Sequence, residues 1–384
     1  MTGGVDTALR PARAHVTGPG RQAAAALVTE LRHALGPNVA TAVLFFASSV
    51  YDPTDLAGPI SQAFPDAAVI GCSTAGEFTD QVMGTGGISA VALPYGILTG
   101  AVAALGDLSM DAAAGTWSAV HALEASLEIP LRELDPSFHL GFTLIDGVNA
   151  VEETVNEVLG NVAPVLDVVG ASAADDLTFR STWVSVGEHI SYRGVALMVC
   201  QTGVPFHVVK TCSFLPTGRT LRITDADPPT RTVRTLDGRP AVLAFADAIG
   251  VPVDRLDGNL LISHPLGQMI DGQPWIRCPQ AVLPDGSITF YAQVLPGLEV
   301  EVMQETDLIA DTRRAIAEAR TALGGQASGG VMFNCLLRRL EIDARQAGPS
   351  FLQALDGLPL AGFHAYGETW LGHVNQTLTG IVFG

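Results

Sequence analysis

Lysine is almost missing from this chain. Lys210 is the only one in 384 residues, and 21 basic against 39 acidic side chains leave a formal net charge of −18. Nucleic-acid binding needs clustered cations to neutralise phosphates, so that class of partner is excluded. Cysteine is sparse too. The five (Cys72, Cys200, Cys212, Cys278, Cys335) form no C-x-x-C pair, which signals neither a structural zinc nor a disulfide framework. No two histidines stand three or four apart and the acids lack an EF-hand order, so no metal site is expected. No apolar run reaches about 18 residues, the length a membrane span needs. Residues 1–22 lack the apolar centre of a secretory signal and read as a flexible arm, which predicts a cytoplasmic protein without membrane contact.

What is abundant is apolar sequence: 48% hydrophobic against 16% charged residues fits sheets covered on both faces. Within it a pattern recurs. Gly71-Cys72-Ser73-Thr74-Ala75-Gly76-Glu77 and Gly362-Phe363-His364-Ala365-Tyr366-Gly367-Glu368 share G-x-x-x-x-G-E, each after a short apolar run. A looser relative, Gly170 to Asp176, keeps the leading glycine and the acidic end, with Asp175 in place of the second glycine. Upstream of each copy lies a β-branched and aromatic run (41–47, 140–145, 330–335) that reads as a buried strand. An Ala-rich helical pattern precedes each run (22–35, 111–127, 308–323), and a helix follows between strand and motif, as at 150–162 with its Glu152-Glu153 start. A further apolar run closes each unit (88–93, 195–200, 378–383).

The fold predicted is therefore α/β, with three α-β-α-β-loop-β units in mixed, largely parallel sheets carrying packed helices. Two domains are expected, 23–223 with two units and 224–384 with the third unit and a β-rich insertion. If the two strands of each unit are parallel, the crossover rule puts the glycine loops at the carboxyl edge of a sheet, where open α/β sheets bind ligands. Gly71, Gly76, Gly362 and Gly367 would then turn with positive φ beside a bound molecule. Equally, the glycines could simply end strands and the acids cap turns.

These motifs resemble the FIST family, the F-box and intracellular signal transduction sensory domain. The resemblance rests on Gly71 to Glu77, on Asp146-Gly147 with Glu152-Glu153, on Gly170 to Asp176, on Pro265-Leu266-Gly267 and on Arg277-Cys278-Pro279. It continues through Cys335-Leu336-Leu337-Arg338, Gly362 to Glu368 and Asn375-Gln376-Thr377, and so covers nearly the whole chain after the arm. It implies a sensory, ligand-binding module of prokaryotic signalling and not an enzyme with an established reaction. Relatives work beside histidine kinases, cyclic-dinucleotide enzymes and chemoreceptors; amino acids are proposed ligands, and a subset binds haem and senses nitric oxide. No output module is evident, so a signal is expected to leave through a partner surface. His264 departs from the aromatic residue expected before Pro-Leu-Gly.

Three chemistries follow. An amino acid would present its carboxylate to Arg277 or Arg338 and its ammonium to Glu77, Asp176 or Glu368, with Cys72, Ser73, Thr74, Gly76, Tyr366 and Asn375 completing the site. The same arginines and acids could instead pair with one another to hold the loops. Haem would attach without covalent bonds through one histidine, with His264, His189, His364 and His373 as the candidates near motifs or strand ends. Thirdly, Cys72 could serve as a nucleophile, with His364 in the comparable loop of the third unit. Self-association is compatible with the many apolar strands, and nothing in the sequence fixes a stoichiometry.

Overall fold

The computed structural model describes residues 9–270 and 272–384. Residues 1–8 of the expected arm lie outside the described residues. The rest of that stretch is not an arm: Ala12–Val16 is a strand paired with Ile88–Pro94, and a helix begins at Gly20. Alternate residues of the strand, Ala12, Ala14 and Val16, are buried, which is the two-residue period of a half-covered edge.

The chain is a mixed α/β protein with three six-stranded sheets built on one plan. In the first, Ala40–Ser48 pairs in parallel with Ala68–Thr74 and antiparallel with Ile88–Pro94. In the second, His139–Ile145 stands in the same relation to Asp167–Ser172 and Gly194–Thr202. In the third, Gly329–Cys335 does so with Leu360–Ala365 and Thr377–Phe383. These are the only parallel pairings between named strands among the described residues, so the expectation of largely parallel sheets is corrected. One parallel pair per sheet suffices for a helical crossover; the remaining strands return directly and run antiparallel.

The segment expected as a loop is also different. After each second parallel strand the chain forms a short hairpin and gives it to another sheet. Hairpin 77–84 joins Leu360–Ala365 of the third sheet, 184–191 joins Ala68–Thr74 of the first, and 368–374 joins Asp167–Ser172 of the second. The exchange is cyclic.

Helices cover the outer faces. Gly20–Leu35 turns Ala23, Ala24, Leu27, Leu31 and Leu35 inward, a three-to-four-residue spacing that lays one stripe on the first sheet. Asp111 and Asp307 cap Ala112–Leu127 and Leu308–Ala322 by accepting from backbone N–H groups of the first turn. The inner faces of all three sheets share one core. Phe46 lies 4.8 Å from Phe363 and 6.0 Å from Phe333, ring centre to ring centre, with Phe142, Leu144 and Met198 arriving from the second sheet. The central strands Ala40–Ser48, His139–Ile145 and Gly329–Cys335 are buried on both faces, so each is a continuous apolar run and not an alternation.

Between the second and third units lies an eight-stranded sheet around the long strand Phe214–Asp227. Residue 224, the expected start of a second domain, falls inside that strand. Helix Ala241–Ile249 closes this sheet's own core through Ala241, Ala244 and Phe245.

Candidate functional site

The three motif loops do converge. Ala75 N donates to His364 O (3.0 Å), His364 N to Gly76 O (2.8 Å), Ser172 N to Gly367 O (2.8 Å), and Ala174 N to Ser73 O (3.0 Å). They meet by hydrogen-bonding to one another, and Ala75, Ala174, Leu336 and Tyr366 pack into a small apolar plug. Of the four glycines expected to turn with positive φ, Gly76 does so at +105°, while Gly71, Gly362 and Gly367 do not. Gly71 and Gly362 are needed for close approach instead: an added Cβ would fall 2.3 Å from the Phe45 ring or 2.1 Å from Met332 O.

Strand register also corrects the third copy of the motif. Glu77 stands opposite Phe363 and Glu368 opposite Ala171; the equivalent residue opposite Cys72 is Val184. Asp175 and Asp176 therefore belong to an inserted loop and replace neither the second glycine nor the glutamate. Asp175 organises that loop, accepting from Thr178 Oγ1 and from the backbone N–H groups of Phe179, Arg180 and Ser181. Although burial opposes it, these donors and the Tyr366 hydroxyl hold its carboxyl below the usual range. Asp176 pairs with Arg339 at 3.1 Å.

Most of the expected ligand-binding residues do structural work. Cys72 is fully buried in the central core, and burial and then Glu77 push its thiol well up, which removes it as a nucleophile. Ser73 Oγ accepts from Trp183 N, and the Thr74 hydroxyl donates to Glu77. Arg338 is 1% exposed and spends its guanidinium on Asn334, Ser213 and Thr312, so it is not the open carboxylate fork expected of it. Asn375 is buried, and neither of its side-chain amide atoms has a partner among the described residues; the same holds for Glu368 Oε1 and Gln376 Oε1.

Glu77 and Glu368 are both buried, and burial raises each carboxyl to about 8, so both are largely protonated near neutrality. A folded pKa above the unfolded value contributes stability that is complete below about pH 4.5 and is lost as pH rises towards 8. Glu368→Gln keeps an oxygen to accept from Thr377 N and Oγ1. The variant is expected to melt close to the parent at pH 5 and above it at pH 8.5. Equal melting at both pH values would show that Glu368 is ionised in the folded state.

The histidines expected as haem ligands lie apart. His189 is exposed on the hairpin 184–191, and half-buried His264 bonds through Nδ1 to Ser263 Oγ at 3.0 Å. His364 is fully buried, accepting at Nδ1 from Asn334 Nδ2 (2.9 Å), its ring centre 5.1 Å from that of Phe78; burial, then Arg339 and Arg338, keep it neutral. His373 borders a cavity.

That cavity, about 330 Å³, lies where helix Glu152–Val162 faces the eight-stranded sheet and the tip of hairpin 368–374. Glu153, Glu157, Asn156, Gln293, Arg277 and His373 supply its polar wall, Leu295, Leu298 and Leu371 the apolar one. Arg277 Nη1 donates to Ile276 O (3.1 Å) and His373 O (3.3 Å), and among the described residues no carboxylate lies within 4.0 Å of the guanidinium. A second cavity of about 240 Å³ adjoins it, lined by Gly147, Glu152, Phe179, Arg231, Tyr291 and Tyr366. Tyr366 closes one side, its hydroxyl donating to Asp175 and accepting from Leu177 N (2.8 Å), its ring stacked on Phe179 at 4.4 Å.

Arg231 lines the second cavity and pairs with one glutamate from the lining of each. Its Nη2 reaches Glu152 at 2.7 Å and also Glu153, and Nη1 donates to Tyr291 O at 2.8 Å. Burial works against the Glu152 carboxylate, yet Arg231 holds its pKa below the ordinary value. Arg231 adopts φ +52°, a strained backbone for a non-glycine residue and a conformation that concentrates at functional sites. The sequence reading missed Arg231, Tyr291 and Phe179. The paired acids Glu152-Glu153 gave no signal of Arg231, since the helix dipole alone favours carboxylates at a helix start.

Among the described residues no helix is long and apolar enough to cross a membrane. Compared with known proteins, residues 41–239 match the FIST N domain and residues 241–370 the FIST C domain. No curated protein matches the chain. Among solved structures, a crystal structure of a chorismatase is similar at 12% identity over 97% of this chain and 98% of that one, with a TM-score of 0.34. With both halves matched in order and over most of its length, the chain belongs to the FIST family, whose domains are sensory, small-molecule-binding domains of signal transduction.

Proposed function

We propose that this protein senses a small zwitterion of the amino-acid class in the cavity beside Arg277 and passes the signal to a partner such as a histidine kinase. One observation carries the reading: a guanidinium without a carboxylate partner borders a cavity whose other polar groups include two acids, Glu153 and Glu157. A carboxylate would complete the Arg277 fork, and an ammonium would sit against the acids. Burial lowers the pKa of Arg277, with Glu153 opposing and Arg231 adding to the effect; it stays charged, and a ligand anion would relieve the cost of burying it. The hairpin tip at Leu371 and Gly372 forms part of the lining, so occupancy bears directly on a segment that can move.

Haem fits this wall less well. Five of its polar residues are charged or carry amides around the one candidate axial group, His373, whereas a macrocycle needs two broad apolar faces.

The test is calorimetry with a panel of amino acids, with haemin included. A binding amino acid is expected to lose about a hundredfold in affinity in Arg277→Lys, which keeps the charge but not the fork. Equal affinity in parent and variant would sink the Arg277 assignment. A saturable Soret band abolished by His373→Ala would replace the reading with a haem sensor.

A further inference from the structure

Lys210 is held in a way that ordinary packing does not require. It stands on strand Phe206–Cys212 with Nζ 4.0 Å from the ring centre of Trp275 and 5.0 Å from that of Trp370. The two indoles are nearly parallel, inclined by 20°, with centres 6.2 Å apart. An amphipathic side chain commonly lays its stem on aromatic surface and leaves the head in water. Here the head is shut off from solvent and has no hydrogen-bond partner among the described residues, although an ammonium offers three donors. Burying it so is costly, and the two indole faces are the compensation it has. A cavity of about 190 Å³ opens beside the same strand, lined by Lys210, Cys212, Gln273, Pro274, Arg314 and Glu318.

We propose that Lys210 is a nucleophilic amine that condenses with a small aldehyde admitted through this cavity, giving a Schiff base. The neutral Nζ attacks the carbonyl carbon, the C–N bond forms as the C=O π bond breaks, and one proton passes from the nitrogen to the oxygen. The carbinolamine oxygen then takes a second proton from solvent and leaves as water while the nitrogen lone pair closes the C=N bond, giving the protonated imine. No oxidant or reductant enters the balance. A protonated imine keeps its positive charge over the Trp275 ring, so the cation–π contact that positions the amine also holds the adduct. Arg314 on the cavity wall already pairs with Asp311 at 2.6 Å and Glu318 at 3.8 Å, so the amine and not a basic fork selects the ligand.

Burial lowers the amine to about 8, against a favourable pull from Cys212 and with Arg277 adding to the shift. Neutral amine is therefore present near physiological pH, the condition for lysine nucleophilicity. The charged or titratable groups around it are Cys212 on its own strand, Arg277 on the strand carrying Trp275, and Arg314 and Glu318 on the neighbouring helix.

Because the chain has a single lysine, the test is unambiguous. The whole protein is treated with glyoxylate and cyanoborohydride at pH 7.5, and adducts are located by intact mass and peptide mapping. Lys210 is expected to react at least about tenfold faster in the folded than in the urea-unfolded protein, as its larger neutral fraction requires. Lys210→Arg should remove that adduct without changing the melting temperature, while Glu157→Gln in the other cavity should leave it intact, so this inference and the amino-acid reading fail separately. Labelling of Lys210 no faster when folded, or confined to the terminal amine, would overturn the proposal.

Discussion

Arg231→Met is expected to cost about 3–5 kcal/mol of stability at pH 8, because it strands a buried carboxylate without its partner. Glu152 is 2% exposed and depends on Arg231 at 2.7 Å; its other contact, from the Ser172 hydroxyl at 3.0 Å, carries no charge. The sign of the pH dependence follows from the parent. There Glu152 has a depressed pKa, so its contribution is present above the unfolded carboxyl range and is lost as pH falls through the folded value. In the variant the stranded carboxyl prefers its neutral form, so the deficit against the parent should narrow as the solution is acidified. Adding Glu152→Gln should recover much of the loss at pH 8, the non-additivity expected of contacting charges. Urea midpoints for the parent, both single variants and the double variant at pH 5 and pH 8 decide the matter. Additive losses that do not change with pH would mean that Arg231 stabilises by packing alone.

The second large effect concerns a glycine. A Cβ at Gly170 would lie 1.8 Å from Thr143 O and 2.7 Å from Thr143 Cγ2, against the backbone of the parallel neighbour. Backbone cannot withdraw as a flexible side chain can, so Gly170→Ala should cost about 3 kcal/mol or prevent folding. Gly160, in helix Glu152–Val162 with nothing within 4 Å of the corresponding position, supplies the contrast. Gly160→Ala should stabilise by about 0.5–1 kcal/mol, the usual helix-interior difference. Thermal unfolding of the two variants beside the parent tests both. A Gly170→Ala protein as stable as the parent would contradict the strand register.

How much of this was legible in the sequence varies by element. The runs 41–47, 140–145 and 330–335 announced themselves because burial on both faces leaves nothing but apolar and β-branched residues, and they coincide with Ala40–Ser48, His139–Ile145 and Gly329–Cys335. The mates of the hairpins could not be read: Val184 pairs with Cys72 because of where a different unit comes to lie, and no local pattern encodes that. Asp175-Asp176 imitated the acidic end of the motif, yet acids in an inserted loop and acids on a paired strand look alike in one dimension.

The two arginines show the same limit at the site. Arg277 and Arg338 sit in similar apolar surroundings in the sequence; in the fold one borders a cavity and the other is consumed by Asn334, Ser213 and Thr312. Arg231 carried no motif at all. Its importance comes from two glutamates far away in the chain, which the fold brings to it.

The cyclic gift of hairpins has a consequence for how such a chain came to be a sensor. Each sheet takes one edge from a neighbour, and the three transfers close on themselves, which is the bonding pattern of a head-to-tail ring of three subunits written into one polypeptide. Three identical subunits would be obliged to carry three identical loops. Covalent linkage lifts that obligation: here one position alone exchanged its glutamate for Val184 and gained the loop holding Asp175 and Phe179, and only one junction received the eight-stranded sheet. The cavity beside Arg231 lies where those two departures meet, so it is a product of broken symmetry, framed by two thirds of a ring that had no need to change.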